Sequence, residues 1–180
     1  MIAREVRTTA SLWVSAVLAA LGCAALATRT LTDESSLIPT ALVGIVGVTA
    51  WAHRPARGLA PRWVMVTVAG TAVLIATVAM GEVLPPVATP LTVGGAVLAG
   101  MAEEAFFRRF LYGWLERWGA VVAVVVAALA FGLIHVPVYG WAVLPLDIAA
   151  GLVLGWQRWA TGSWVAPALT HSVANLVLFL

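Results

Sequence analysis

Glu103 and Glu104 stand side by side in the stretch AGMAEEAFFRRF, Ala99–Phe110, with Arg108 and Arg109 shortly after them and apolar residues all around. Glu104 and Arg108 are four residues apart, which on a helix puts them on one face in the order that i,i+4 ion pairs favour. Glu103 lies about 100° around the helix from Glu104, so both carboxylates can border one cavity while only Glu104 is aligned with Arg108. A carboxylate held in a water-poor pocket is suited to taking and returning a proton near neutrality. Arg109 falls off that face, on a stem long enough to snorkel to an interface. Ordinary ion pairs at a partly solvated helix end are the plain alternative for this stretch.

The chain carries two further constellations. In FGLIH, Phe131–His135, the phenyl ring lies one turn before the imidazole on the same face and can pack against it to set its orientation. Pro137 is expected to end that helix, which leaves an interfacial histidine as the alternative. In PALTHSVAN, Pro167–Asn175, His171 and Asn175 are four apart and share a face. They either belong to a site or tie neighbouring helices together by hydrogen bonds. Taken together, two carboxylates, two imidazoles and an amide on three separate segments are the parts needed to activate water and stabilise a tetrahedral oxyanion. Amide hydrolysis is the reaction class they suggest.

The elements that must position these groups are apolar. The chain is 62% hydrophobic and 10% charged, with a mean hydropathy of +1.01, which reads as an integral membrane protein. The expected fold is all-α, a polytopic transmembrane helix bundle of about seven helices with a polar intramembrane site. The segments are Ala10–Thr28, Leu37–Ala52, Trp63–Leu84, Leu91–Trp118, Ala120–His135, Trp141–Trp159 and Trp164–Leu180. Trp51, Trp63, Trp114, Trp118, Trp141, Trp156, Trp159 and Trp164 lie near their ends, where amphipathic rings favour the headgroup level. Arg4, Arg7, Arg54, Arg57, Arg62, Arg117 and Arg158 fall on one side if the segments alternate, with Arg29 opposite. This predicts a multi-pass protein of the cell membrane, N-terminus cytoplasmic and C-terminus outside.

A charge near a bilayer centre costs about 2.5–3.5 kcal/mol, so the charges of Ala99–Phe110 must face protein, water or each other. The run after Arg4 and Arg7 is long for a signal peptide and reads as an uncleaved first helix. The single Cys23 excludes an intrachain disulfide and argues against a thiolate metal cluster. The net charge of +2 is accounted for by the flanking arginines, and no nucleic-acid partner is implied. Pro85, Pro86 and Pro90 suggest a division, with residues 1–90 as accessory N-terminal transmembrane helices and 91–180 as the functional core. Asp147 can line a cavity or stand at an interface, and Gly151 and Gly155 form a small-x-x-x-small pair that suits close helix packing.

The order Glu-Glu-x-x-x-Arg at Glu103–Arg108, Phe-x-x-x-His at Phe131–His135 and His-x-x-x-Asn at His171–Asn175 resembles the motifs of the CAAX-processing and bacteriocin-processing (CPBP, or Abi) family. These are intramembrane proteases related to the CAAX prenyl endopeptidase, and the resemblance covers roughly Leu91–Leu180. It implies a hydrolase in which Glu103 activates water with help from His135. His171 and Asn175 would hold or polarise the scissile carbonyl, with Glu104, Arg108 and Phe131 in support. Arg109 stands where the family often has glycine. The implied partners are a peptide or protein substrate and the lipid bilayer.

The zinc-protease signature His-Glu-x-x-His is absent. If a metal such as zinc takes part, Glu103, Glu104, His135 and His171 are its available ligands; the reading leans towards no obligatory metal. Two other classes stay open. One is a non-catalytic immunity or scaffold protein of the same fold. The other is a proton-coupled transporter, weakened by the lack of any repeat of the polar half in the first half.

Overall fold

Gly119, Gly140 and Gly162 have φ of 108°, 82° and 71°, a region that residues with side chains resist, and each marks a helix boundary. The structure is a computed structural model and describes residues 2–28, 37–49, 61–79 and 90–179. Among these residues the regular structure is helical throughout. The helices are α1 (Ile2–Ala27), α2 (Leu37–Thr49), α3 (Trp63–Ala79), α4 (Pro90–Glu104), α5 (Tyr112–Leu115), α6 (Ala120–Tyr139), α7 (Leu144–Thr161) and α8 (Val165–Val177). A π-helical segment, Ala105–Leu111, joins α4 to α5, so the chain stays helical from Pro90 to Trp118.

Small residues decide how closely these helices approach. A methyl group at Gly151 would lie 2.9 Å from Ala128 Cα, and one at Gly155 3.0 Å from Val124 Cγ1, so α7 lies almost backbone to backbone on α6. Gly132 returns the same relation, with Ile148 Cγ1 at 2.8 Å from its missing methyl. Gly100 admits α8 to α4, where its methyl would meet the Ser172 amide at 3.2 Å. α3 lies against α7 and α8, α2 against α4 and the π segment, and α1 against α6 and α2. Phe106, Phe107, Phe110, Phe131 and Leu154 fill the core between them.

The seven-span expectation is corrected. Among the described residues one helix, Ala120–Tyr139, is both long and apolar enough to cross a membrane. The apolar parts of the others, Leu12–Ala27, Ile38–Thr49, Trp63–Thr77 and Val165–Val177, are shorter. Leu91–Trp118 is interrupted by the buried charges of Glu103, Glu104 and Arg108. A span needs about 20 consecutive apolar residues, and apolar composition alone does not separate a span from a helix packed on other helices. The polytopic transmembrane bundle and the multi-pass placement with a cytoplasmic N-terminus therefore do not stand. The polar site is a buried cluster between packed helices.

Pro137 does not end α6 either. It sits within the last turn, and the helix stops at Gly140, whose N–H donates to the Val136 carbonyl at 2.8 Å. The division suggested by Pro85, Pro86 and Pro90 and the orienting residues Arg29, Trp51, Arg54 and Arg57 fall largely or wholly outside the described residues.

Candidate active site

The π segment begins directly after the two glutamates. One widened turn shifts the helix phase between Glu104 and the residues after it, and such turns recur at functional sites. Tyr112 N–H reaches the Phe107 carbonyl, five residues back, while Glu116 N–H reaches Tyr112, four back. A return from i+5 to i+4 spacing leaves a carbonyl short of an amide donor. Arg158 Nε, from α7, donates to the Arg108 carbonyl at 2.9 Å, and its guanidinium lies 4.8 Å from the Tyr112 ring centre.

Glu104 is the electrostatic centre. Its Oε1 accepts from Arg108 Nη1 at 2.9 Å and lies 3.0 Å from His171 Nδ1, with Glu104 and Arg108 wholly buried. An ionised Glu104 can only accept, which makes His171 Nδ1 the donor. Arg108 Nη2 donates to the Gly151 carbonyl at 3.1 Å, and its guanidinium stacks 4.7 Å from the Phe131 ring centre. Burial pulls the Arg108 guanidinium below its ordinary range, while Glu104 and then Glu103 favour its charge.

His135 forms the second half. Its Nδ1 lies 2.7 Å from the Phe131 carbonyl, an obligate acceptor, so Nδ1 carries a proton there. In the neutral ring Nε2 then holds the lone pair, and it faces Glu103 Oε2 at 3.9 Å. Phe131 lies between the two histidines, with its centroid 4.7 Å from His135 and 5.6 Å from His171. The orienting contact expected from the Phe-x-x-x-His spacing is thus present, and the same ring also supports Arg108.

Glu103, Glu104, Arg108, Phe131, His135 and His171 therefore converge from four elements. Asn175 stands one turn beyond His171 on α8 and donates Nδ2–H to the Ala96 carbonyl at 3.0 Å. Beside it Ser172 donates to Val97 at 3.3 Å, so this face of α8 also ties α8 to α4. Two residues at the site lie outside the three motifs. Asp147 has Oδ2 4.0 Å from His135 Nδ1, and Arg158 reaches the π segment. A carboxylate just after Pro145 is the local signal for Asp147; nothing local marks Arg158.

Among the described residues no group of three or more His, Cys, Asp or Glu side chains is placed to hold a metal ion. His171 Nδ1 is held by Glu104 and His135 Nδ1 by a backbone carbonyl, which leaves Nε2 of each ring as the nitrogen that can meet a ligand or substrate.

The described residues form an all-helical fold with paired carboxylates buried against two histidines. Residues 87–177 match the family described as Type II CAAX prenyl endopeptidase Rce1-like, and the chain belongs to this family. Membership indicates a protease-type enzyme with a peptide or protein substrate. Comparisons with curated proteins and with solved structures returned no match.

Proposed function

We propose that the protein is an endopeptidase that hydrolyses a peptide bond with water activated by Glu103. The observation that carries this reading is the 3.9 Å separation of Glu103 Oε2 and His135 Nε2, beside the Glu104–His171 pair. That distance is too long for a direct hydrogen bond and suits a bridging water. Glu103 takes a proton from the water as its oxygen attacks the scissile carbonyl carbon, and His135 Nε2 orients the same water. The carbonyl becomes a tetrahedral oxyanion. His171, held through Nδ1 by Glu104, offers its other nitrogen to that charge when doubly protonated, and Asn175 adds its amide. Glu103 then passes its proton to the departing amine as the C–N bond breaks.

The test is cleavage of a quenched-fluorescence peptide library, with prenylated CAAX peptides included, by the wild type and by Glu103→Gln, with and without chelator. Loss of a general base is expected to lower turnover by about 100-fold or more. Chelator is expected to leave the wild type unchanged. Undiminished cleavage by Glu103→Gln would sink the mechanism, and loss on chelation would require a metal. Peptide binding by the wild type without cleavage would favour the non-catalytic reading.

A further inference from the structure

The helices before the matched region grip the site from outside. A methyl at Gly44 of α2 would lie 2.9 Å from Ala102 Cβ. One at Gly47 would lie 2.4 Å from the Ala105 carbonyl carbon and 2.6 Å from the Phe106 amide nitrogen. α2 therefore meets the chain on both sides of Glu103–Glu104, and at Ala105 it does so backbone to backbone. α1 adds a socket, because the Phe106 ring occupies the space where a methyl at Gly22 would sit, 2.2 Å from Phe106 Cε2.

Arg109 closes this contact. Its Nη1 donates to the Gly47 carbonyl at 3.3 Å and to the Val48 carbonyl. Both carbonyls lie in the last turn of α2, where a cation suits the helix dipole. The same side chain thus caps α2 and belongs to the widened turn. A π turn can move along a helix by exchanging i+5 for i+4 bonds, and each residue it passes is rotated by roughly 100°, so a shift towards the N-terminus from Ala105 would re-aim first Glu104 and then Glu103. A fixed turn keeps Glu103 towards His135 and Glu104 towards His171.

We infer that Arg109 is a positioning residue: by capping α2 it pins the π turn and so sets the direction of both glutamates. The inference deepens the peptidase reading and rests on it for its kinetic arm. It also gives the first part of the chain a role, with α2 as a clamp on the site.

The experiment compares the wild type, Arg109→Met and Arg109→Lys by hydrogen exchange of the amides in residues 102–111 and by peptide turnover. Arg109→Met should exchange about tenfold faster in that stretch, with residues 124–134 unchanged, because a lost charged hydrogen bond weakens local closure by about that factor. Its kcat should fall about tenfold while KM stays within about twofold. Lysine, which keeps a cationic donor, should restore both. Should Arg109→Met not fold, Arg109→Ala, which also lacks a donor, is read in the same way. Unchanged exchange in the 102–111 stretch overturns the clamp whether or not the wild type cleaves peptides. A wild type that cleaves nothing while exchange responds as expected overturns the peptidase reading and leaves the clamp standing. Failure of lysine to restore exchange also overturns the clamp.

Discussion

Glu104 shares one oxygen between Arg108 and His171, and its other oxygen, Oε2, is buried without a hydrogen-bond partner among the described residues. Neutralising one member of such a buried pair leaves the other charge uncompensated. Arg108→Met should therefore lose about 3–5 kcal/mol of stability, measured by denaturant unfolding. Glu103→Gln, which removes a charge without stranding Arg108, should cost far less stability than it costs turnover; an equal loss of both would make Glu103 structural. The Glu104–Arg108 pair is readable from its spacing, as is the contact of Phe131 with His135, because i,i+4 neighbours meet on any helix. The Glu104–His171 contact joins residues 67 positions apart, and no local rule places it.

At the scale of elements the π segment is the feature that spacing does not reveal. Spacing puts Glu103, Glu104 and Arg108 on an ideal helix, whereas the chain widens immediately after the glutamates and turns Arg109 to α2. Glycine positions give a paired prediction. Gly94 in α4 has nothing within 4 Å of an added methyl, so Gly94→Ala should gain about 0.5–1 kcal/mol from helix propensity alone. Gly151→Ala makes the same backbone gain but sets its methyl 2.9 Å from Ala128 Cα, and overpacking should cost about 1–3 kcal/mol. Thermal unfolding of the two variants should move in opposite directions. A stabilised Gly151→Ala would show that α6 and α7 can part without penalty. The Gly151–Gly155 contact is legible because small residues four apart form a flat stripe, while the end of α6 is not, because Pro137 is tolerated in a last turn that Gly140 closes.

At the scale of the whole molecule a second polar cluster ties α3, α7 and α8 together. Gln157 of α7 donates to the Val66 and Thr67 carbonyls of α3, both at 3.2 Å, and to Thr170 Oγ1 of α8 at 2.8 Å. Thr71 reaches the same Thr170 oxygen at 2.9 Å. Gln157→Ala should lower stability by about 1–3 kcal/mol through the groups left unpaired. Turnover per folded molecule should stay within about twofold, because the cluster takes no part in the chemistry. A selective loss of turnover at unchanged stability would instead place Gln157 in the site.

The sequence by itself determined the helical segments of the latter half, the three motifs and the Glu104–Arg108 pair, since each depends on neighbours within one or two turns. Its apolar composition also suggested seven membrane crossings, and that part failed because composition records how much apolar surface a helix has and not what covers it. Only the tertiary structure decided that α4, α6, α7, α8 and the π segment meet at one buried cluster and that Asp147 lies beside His135. It also decided that α2 closes on the π turn through Arg109. These are contacts between residues far apart in the chain. They depend on which small residues allow two backbones to approach, and on where one widened turn rotates the side chains.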